Sequence, residues 1–489
     1  MKLSHLRRQT RLGLVSFYFI ATANAGIPLW SFSPDANFPP QLTVNSLETA
    51  TVKYTIKNNS RNSHQLVIKP ILGISQVGQC LVGPAGSAND SCLLTLAVDG
   101  SALPTDGLTG GPTLCQANPD GTANPHQCHQ PGKHDSLALS KMKAPIKGLI
   151  NMGNISFYND PSMSPVNDPS IIEPYASSFT AMVINVTWNQ LQPNGPGTLI
   201  KDNAIDQALA AIQSYNRTHP DTPITAKLRV WGGFTAPQWA KAINGGPIYI
   251  DSVSSNGKNP QQGYIGLFWT TEYLSAWKEL QSLLADRYDH NPLIREVAIT
   301  SCASETDEPF VGWLDTATVN NLENYGYTDA QQEACLTGAI GDYSAWTHTM
   351  LDFTFSLFHL IDGGKVQQDP AFTIQVMNQC QLSSRCILSN HALNSPLPTS
   401  DSFVYTEMQS LFSINPNNTL IDFQTASPKQ LNWCGAIVNA TTYHAKSIEL
   451  WPDFGGFTTF LPAVVANLAS GFQNNTPPIL ALCPPLIIS

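Results

Sequence analysis

The stretch EVAITSCASETDEPF, residues 296–310, decides how this chain folds. Its first half has the apolar alternation of a buried strand, with Val297 and Ile299 set against Glu296, Ala298 and Thr300. Its second half places Glu305, Asp307 and Glu308 within four positions, closed by Pro309. Carboxylates this close repel one another, so the fold either leaves them in water or has a use for holding them.

Working outward, seven more apolar runs share the strand character of REVAITS (295–301). They are GLINMGNI (148–155), AMVINVTW (181–188), TAKLRVW (225–231), FTIQVMN (372–378), CILSNHA (386–392), TLIDFQT (419–425) and KSIELW (446–451). Segments with helical spacing lie between them, at 202–215, 271–288, 343–361, about 401–412 and 427–439, and a last one at 457–472 closes the series. Strands alternating with helices predict parallel α/β architecture, and eight strands close a barrel. The two longest loops, 232–269 and 305–339, both follow the C-terminal end of a strand, the face on which such barrels keep their active sites.

Parallel strands covered on both faces read as nearly continuous Val, Ile and Leu. These do not. In SIELW, Ile448 and Leu450 oppose Ser447, Glu449 and Trp451; in LIDFQ, Ile421 and Phe423 oppose Asp422 and Gln424; in KLRVW, Leu228 and Val230 oppose Lys227, Arg229 and Trp231. Asn185 and Thr187 occupy the polar face of VINVTWN, and Ser389 and His391 that of ILSNH. Outer helices require the apolar face, so Asn185, Arg229, His391, Asp422, Gln424 and Glu449 look inward. Such a lining is costly unless its members bond one another or a ligand. A self-satisfied network is one outcome; a pocket for a polyhydroxylated ligand, with Trp231 and Trp451 as apolar platforms, is the other.

The first part of the chain reads differently. Between about Trp30 and Ser140, short runs with two-residue alternation, such as QLTVNSLETATVKYTIKN and SCLLTLAVDG, predict a small antiparallel β sandwich. Residues 1–25 read as a secretory signal, with Lys2, Arg7, Arg8 and Arg11 before the apolar run 12–20 and the triplet Ala23-Asn24-Ala25. The expected organisation is therefore signal 1–25, sandwich 26–142 and barrel 147–489. Ten cysteines in an exported chain predict local disulfides: Cys80 with Cys92, Cys115 with Cys128, Cys302 with Cys335, Cys380 with Cys386 and Cys434 with Cys483. The cluster His126, Cys128, His129 and His134 is better explained as a disulfide-closed loop than as a metal site.

Of the 489 residues, 42% are hydrophobic and 12% charged, enough apolar material for more than one domain, and no segment after the signal is long and apolar enough to span a bilayer. A formal net charge of -10 argues against nucleic acid or an anionic membrane as partner, since both need clustered Lys and Arg. A neutral or weakly charged ligand suits it better; the carbohydrate substrate expected of this chain comes from the carboxylates and the resemblance given next. No G-x-S-x-G elbow, H-E-x-x-H pair, phosphate loop or dinucleotide fingerprint is present, and neither cofactor nor metal is expected.

Hydrolysis of a glycosidic bond needs two carboxyl groups, one to protonate the leaving oxygen and one to stabilise or attack the anomeric carbon. Glu308 is the leading donor, with Glu305 and Asp307 as rivals. Four stretches carry a resemblance: INVTWNQLQP (184–193), KLRVWGGFTAPQWA (227–240), EVAITSCASETDEPF and SIELWPDFGG (447–456). In this order they resemble TIM-barrel glycoside hydrolases of the large clan whose acid/base Glu ends strand four and whose nucleophilic Glu ends strand seven. The resemblance implies the acid/base role for Glu308. It departs at strand seven, where Gln424 stands in the nucleophile's place. Glu449 then comes first as second carboxylate, Asp422 or Glu407 being alternatives, or the barrel binds glycan or a host protein without cleaving. The N-terminal part resembles the immunoglobulin-like or carbohydrate-binding modules of secreted bacterial hydrolases.

Overall fold

The computed structural model describes residues 28–46, 48–104, 107–153, 164–252, 261–302, 308–309, 311–362, 364–397, 399–416, 418–426, 433–451 and 462–473. Two compact units emerge: one holds residues up to 40, 51–97 and 109–137, the other 41–50, 98–108 and 138 onward.

The first unit is a β sandwich of two four-stranded sheets. In one, Trp30–Pro34 runs antiparallel to Thr49–Asn58; in the other, His64–Ile68 lies between Cys80–Val82 and Leu114–Ala117, again antiparallel. The alternation seen in the sequence becomes an inside and an outside. Val52, Tyr54 and Ile56 are fully buried, and Leu66, Leu94, Leu96 and Leu114 join them. Disulfides Cys80–Cys92 and Cys115–Cys128 form as expected, the second joining paired strands. Cys128 is thus spent, and the His129 ring accepts a hydrogen bond from the Leu29 amide at 3.1 Å.

The second unit contains a closed ring of eight parallel strands. In order they are strand one (Gly148–Asn151), two (Phe179–Thr187), three (Thr225–Trp231), four (Ile294–Ala298), five (Met350–Thr354), six (Cys386–Leu393), seven (Ile421–Thr425) and eight (Ser447–Leu450). Strand one pairs with strand eight and closes the ring. Outer helices include Ala204–Thr218, Thr271–Tyr288, Asp329–Asp342, Pro370–Leu382, Thr399–Ile414, Trp433–Thr442 and Pro462–Gln473. Their apolar stripes pack on the outward-facing residues Ile184, Val186, Leu228, Val230, Val297, Leu351, Phe353, Leu388, Phe423 and Ile448 in one continuous core.

The count of eight holds, but one strand and one helix exchange places. FTIQVMN is not a strand; it lies inside the helix Pro370–Leu382, which Asp369 caps by accepting from the Phe372 amide at 3.0 Å, with Pro370 at the first helical position. The β-branched residues of the run hid that start signal. Conversely, the segment read as a helix over 343–361 carries strand five. Asp289, just past the helix Thr271–Tyr288, takes the amides of Thr347, His348 and Thr349 at 2.8, 3.0 and 3.0 Å, so these groups cannot join a helical ladder. The helix between strands five and six is thus Pro370–Leu382, which leaves only residues 383–385 before strand six.

Disulfides Cys302–Cys335 and Cys380–Cys386 form in this unit; the pairing expected for Cys434 with Cys483 and the signal segment lie outside the described residues. Among the described residues, no helix is long and apolar enough to cross a membrane.

Candidate active site

Inside the barrel the side chains stack in tiers. Toward the N-terminal ends of the strands, apolar groups plug the interior: Ile146, Ile150, Ala181 and Val183 in one cluster, Met350, Ile387 and Leu420 in another. Above this floor lies an ionic tier centred on Lys227, which is fully buried. Its ammonium bonds Asp352 at 2.8 Å and, by a shorter contact, Asp422, while Glu449 and Glu296 stand at 3.5 and 3.6 Å. Arg229, two residues along the same face, grips Glu449 with both arms of its guanidinium, Nη1 to Oε1 at 2.7 Å and Nη2 to Oε2 at 2.8 Å.

Two cations thus meet four buried carboxylates, and the surplus of negative charge favours protonation of two of them. Burial, opposed in part by Lys227, pushes the Glu296 carboxyl up to about 8. The same two influences, with the charge of Asp352 added, push Asp422 up to about 6. Glu449 goes the other way: burial works to raise it, but Arg229 and then Lys227 prevail and hold it below the usual carboxylate range. Lys227 itself resists burial because its four acidic neighbours keep it charged. Secondary bonds complete the tier, the Ile146 amide donating to Glu296 at 2.7 Å and the Ser447 hydroxyl to Asp422 at 2.8 Å.

The upper tier is mixed. Met152 and Trp231 pack together with Trp451 against them. The Trp231 indole donates to Asn185 at 3.0 Å, and the Asn185 amide donates onward to the Met152 carbonyl at 2.7 Å. Gln424 pairs in register with Glu449 across strands seven and eight. Its Oε1 and the Trp451 indole nitrogen are buried without a hydrogen-bond partner among the described residues. Such orphaned groups inside an otherwise satisfied lining are what a hydroxylated ligand would engage.

Glu308 belongs to the rim. Its carboxylate lies 3.5 Å from the His391 Nδ1, and the other ring nitrogen of His391 meets the Thr354 hydroxyl at 3.0 Å. Burial, then the nearby charge of Arg229, depresses His391 well below its ordinary value, so the ring is neutral at physiological pH. His391 thus stands beside Glu308 and within the electrostatic reach of Arg229, the residue that grips Glu449. The two carboxylates differ sharply in accessibility: the Glu308 side chain is 28% exposed, that of Glu449 only 1%.

The segment carrying Glu308 is anchored on both sides. Before it, the Thr300 amide donates to the Tyr343 hydroxyl at 3.0 Å, and Cys302, at a left-handed φ of 63°, is tied to Cys335. After it, the Val311 carbonyl accepts from His359 at 2.7 Å. Glu305 and Asp307 lie outside the described residues.

No protein-family model matches the chain, and no curated protein does. Solved structures similar in chain path include the catalytic domain of β-amylase from Paenibacillus polymyxa, at 10% identity over 70% of this chain and 100% of that one, TM-score 0.41. A GH5 family lichenase from Caldicellulosiruptor sp. F32 (11% identity, 68% and 93%, TM-score 0.36) and a β-mannanase from the blue mussel Mytilus edulis (10%, 68% and 94%, TM-score 0.38) are others. The scaffold is a TIM barrel. That rests on the closed ring of parallel strands itself, and at such identities the likeness bears on fold alone.

Of the side chains singled out in the sequence, Asn185, Arg229, Trp231, Asp422, Gln424 and Glu449 are all buried in the barrel, with His391 beneath Glu308 and Trp451 half-buried at the top. Glu407 lies on the helix Thr399–Ile414, outside the ring. The sequence reading missed Glu296 and Asp352 as ligands of Lys227. Glu296 shares its face with Ala298 and Thr300, a signal present in the alternation. Asp352 was concealed by the helical reading of its segment.

Proposed function

We propose that this chain is a secreted glycoside hydrolase acting on a neutral poly- or oligosaccharide, with Glu308 as proton donor and Glu449 as the second carboxylate. The observation that carries the reading is the placement of Glu308: a partly exposed carboxyl past the C-terminal end of strand four, touching a neutral imidazole, in a barrel whose interior also holds tryptophans and orphaned polar groups. A neutral ring offers Glu308 a partner without setting a positive charge beside it. Glu449, kept ionised by Arg229, matches the other requirement, a carboxylate that stays charged while its partner is a carboxylic acid. The disulfides and the signal-like residues 1–25 support export, with Gly26 as first residue of the mature chain, and the sandwich serves as an immunoglobulin-like or carbohydrate-binding module.

The test is release of reducing ends from a mixed-linkage β-glucan, a galactomannan, a xylan and soluble starch. Turnover of at least one by wild type, lowered at least about a hundredfold in Glu308→Gln, supports the assignment. Wild-type turnover that survives this substitution rejects Glu308 as the acid.

A second reading has its own observation. Both Glu449 oxygens are occupied by Arg229, and an amide, Gln424, stands beside it in register. A barrel that binds glycan without cleaving it would show retention on one of these polysaccharides and turnover of none.

A further inference from the structure

The loop after strand three carries a β hairpin, Ile248–Ser252 paired with Gln261–Ile265, whose two faces are chemically opposite. The inner face is aliphatic and closed: Ile248, Ile250 and Ile265 are buried, and Gly263 lies so near Phe234 that a Cβ there would stand 2.7 Å from the ring. On the outer face, Tyr249 and Tyr264 sit directly opposite one another, 42% and 56% exposed, their rings 5.4 Å apart and steeply inclined. The next outward pair is Asp251 and Gln262, joined by a hydrogen bond of 2.8 Å. The hairpin is also tied to the segment that follows Glu308, because the Asp251 amide donates to the Thr318 hydroxyl oxygen at 2.8 Å and the Asp315 amide donates to the Asp251 carbonyl at 3.3 Å.

We propose that this outer face is a glycan-binding subsite distinct from the barrel interior, at which the Tyr249 and Tyr264 rings take the C–H faces of sugar units while Asp251 and Gln262 bond their hydroxyls. The inference rests on the carbohydrate reading of the barrel and adds to it that the ligand is a polymer long enough to reach the hairpin. Aromatic faces beside a carboxylate and an amide are the surface that a ring with apolar faces and a polar rim requires. Because the underside is fixed by Phe234 and by the Asp251 backbone bonds, the platform is ordered before any ligand arrives, and binding loses little to ordering it.

The experiment uses the full chain carrying Glu308→Gln, so that nothing is cleaved, in affinity electrophoresis through gels containing each of the four polysaccharides named above. Adding Tyr249→Ala and Tyr264→Ala is expected to weaken retardation roughly tenfold or more, whereas Tyr249→Phe with Tyr264→Phe, which keeps both rings, stays within about threefold of the parent. Thermal melting confirms that each variant is folded; should the double alanine variant melt early, Tyr264→Ala alone, at the more exposed position, replaces it. Equal retardation of the alanine variant and its parent overturns the subsite while leaving the carbohydrate reading intact. Loss in the phenylalanine variant as well overturns ring stacking. A parent not retarded by any of the four, with no wild-type turnover, removes the carbohydrate reading and this subsite with it.

Discussion

Arg229 and Glu449 are joined by two parallel hydrogen bonds, 2.7 and 2.8 Å, between neighbouring tiers of strands three and eight that do not pair with one another. The fork spans the inside of the barrel, so it couples distant parts of the ring. Its neighbour Lys227 does the same with Asp352 and Asp422, on strands five and seven. Four strands far apart in sequence are thus held by two cations, and the first two expectations below follow from this tier.

Removing one half of the fork strands a buried charge. Arg229→Met should destabilise the chain by about 3–5 kcal/mol, whereas Arg229→Met combined with Glu449→Leu should recover most of the loss, since a well-packed apolar pair of similar volume is often neutral against a buried ion pair. Urea unfolding at pH 7 followed by tryptophan fluorescence makes the comparison. A single variant as stable as wild type would show that water reaches Arg229 and that the tier is not dry.

The contribution of Glu296 and Asp422 to stability should fall as pH rises from about 5 to about 8.5. Both Glu296 and Asp422 have folded values above their unfolded ones, so the native state binds protons that the unfolded chain has released. Their contribution is fully present below the unfolded values and is lost as pH passes about 6 for Asp422 and about 8 for Glu296. Glu449 acts oppositely, but only in acid, where its depressed value lies. Between pH 7 and 8.5, above the range in which the depressed His391 and His359 act oppositely, the Glu296 contribution should slope melting temperatures downward, and Glu296→Gln, neutral at every pH, should flatten that slope. An unchanged slope in that variant would place the titrating group elsewhere.

His391 is a positioning residue for Glu308. With Nε2 at Thr354 and Nδ1 at Glu308, its ring sets the carboxylate's direction. His391→Phe should lower turnover about tenfold to a hundredfold and move the alkaline limb of the pH–rate profile, while His391→Gln, which can reach both partners, should restore part of the rate. A profile of unchanged shape in the phenylalanine variant would reduce His391 to a packing role.

Gly263→Ala places a methyl 2.7 Å from the Phe234 Cδ1 atom. The ring is itself buried and has no free direction to yield, so a cost of about 1–3 kcal/mol is expected, felt first in the hairpin. Limited proteolysis between residues 248 and 265 should accelerate, and differential scanning calorimetry should register the loss. Wild-type resistance would mean that the hairpin does not rest on Phe234.

Much of this was legible in residue order. SIELW, LIDFQ and KLRVW each set a polar row against an apolar one, and because a strand turns alternate side chains to opposite faces, the apolar rows could only face the helices. Asn185, Arg229, Asp422, Gln424 and Glu449 were placed inside by that step alone, as the coordinates bear out. The cysteine spacing likewise paired four bridges correctly. Local pattern failed at TMLDFTFSLFHLI and FTIQVMN: both alternate apolar and polar residues in part, as LDFTFSL and FTIQV, yet the first is strand and the second lies in a helix. What settles them is remote: Asp289, some sixty residues before strand five, captures the three amides at its start.

Sequence by itself determined the parallel barrel and the inward row of polar residues on the strands it read correctly, because periodicity is a property of neighbours along the chain. Tertiary structure alone decided which charge meets which. Lys227 collects Glu296, Asp352, Asp422 and Glu449 from four other strands, and Glu308 meets His391 across the rim. No local rule specifies such encounters, since the ring must close before side chains that point to a common axis come within bonding distance.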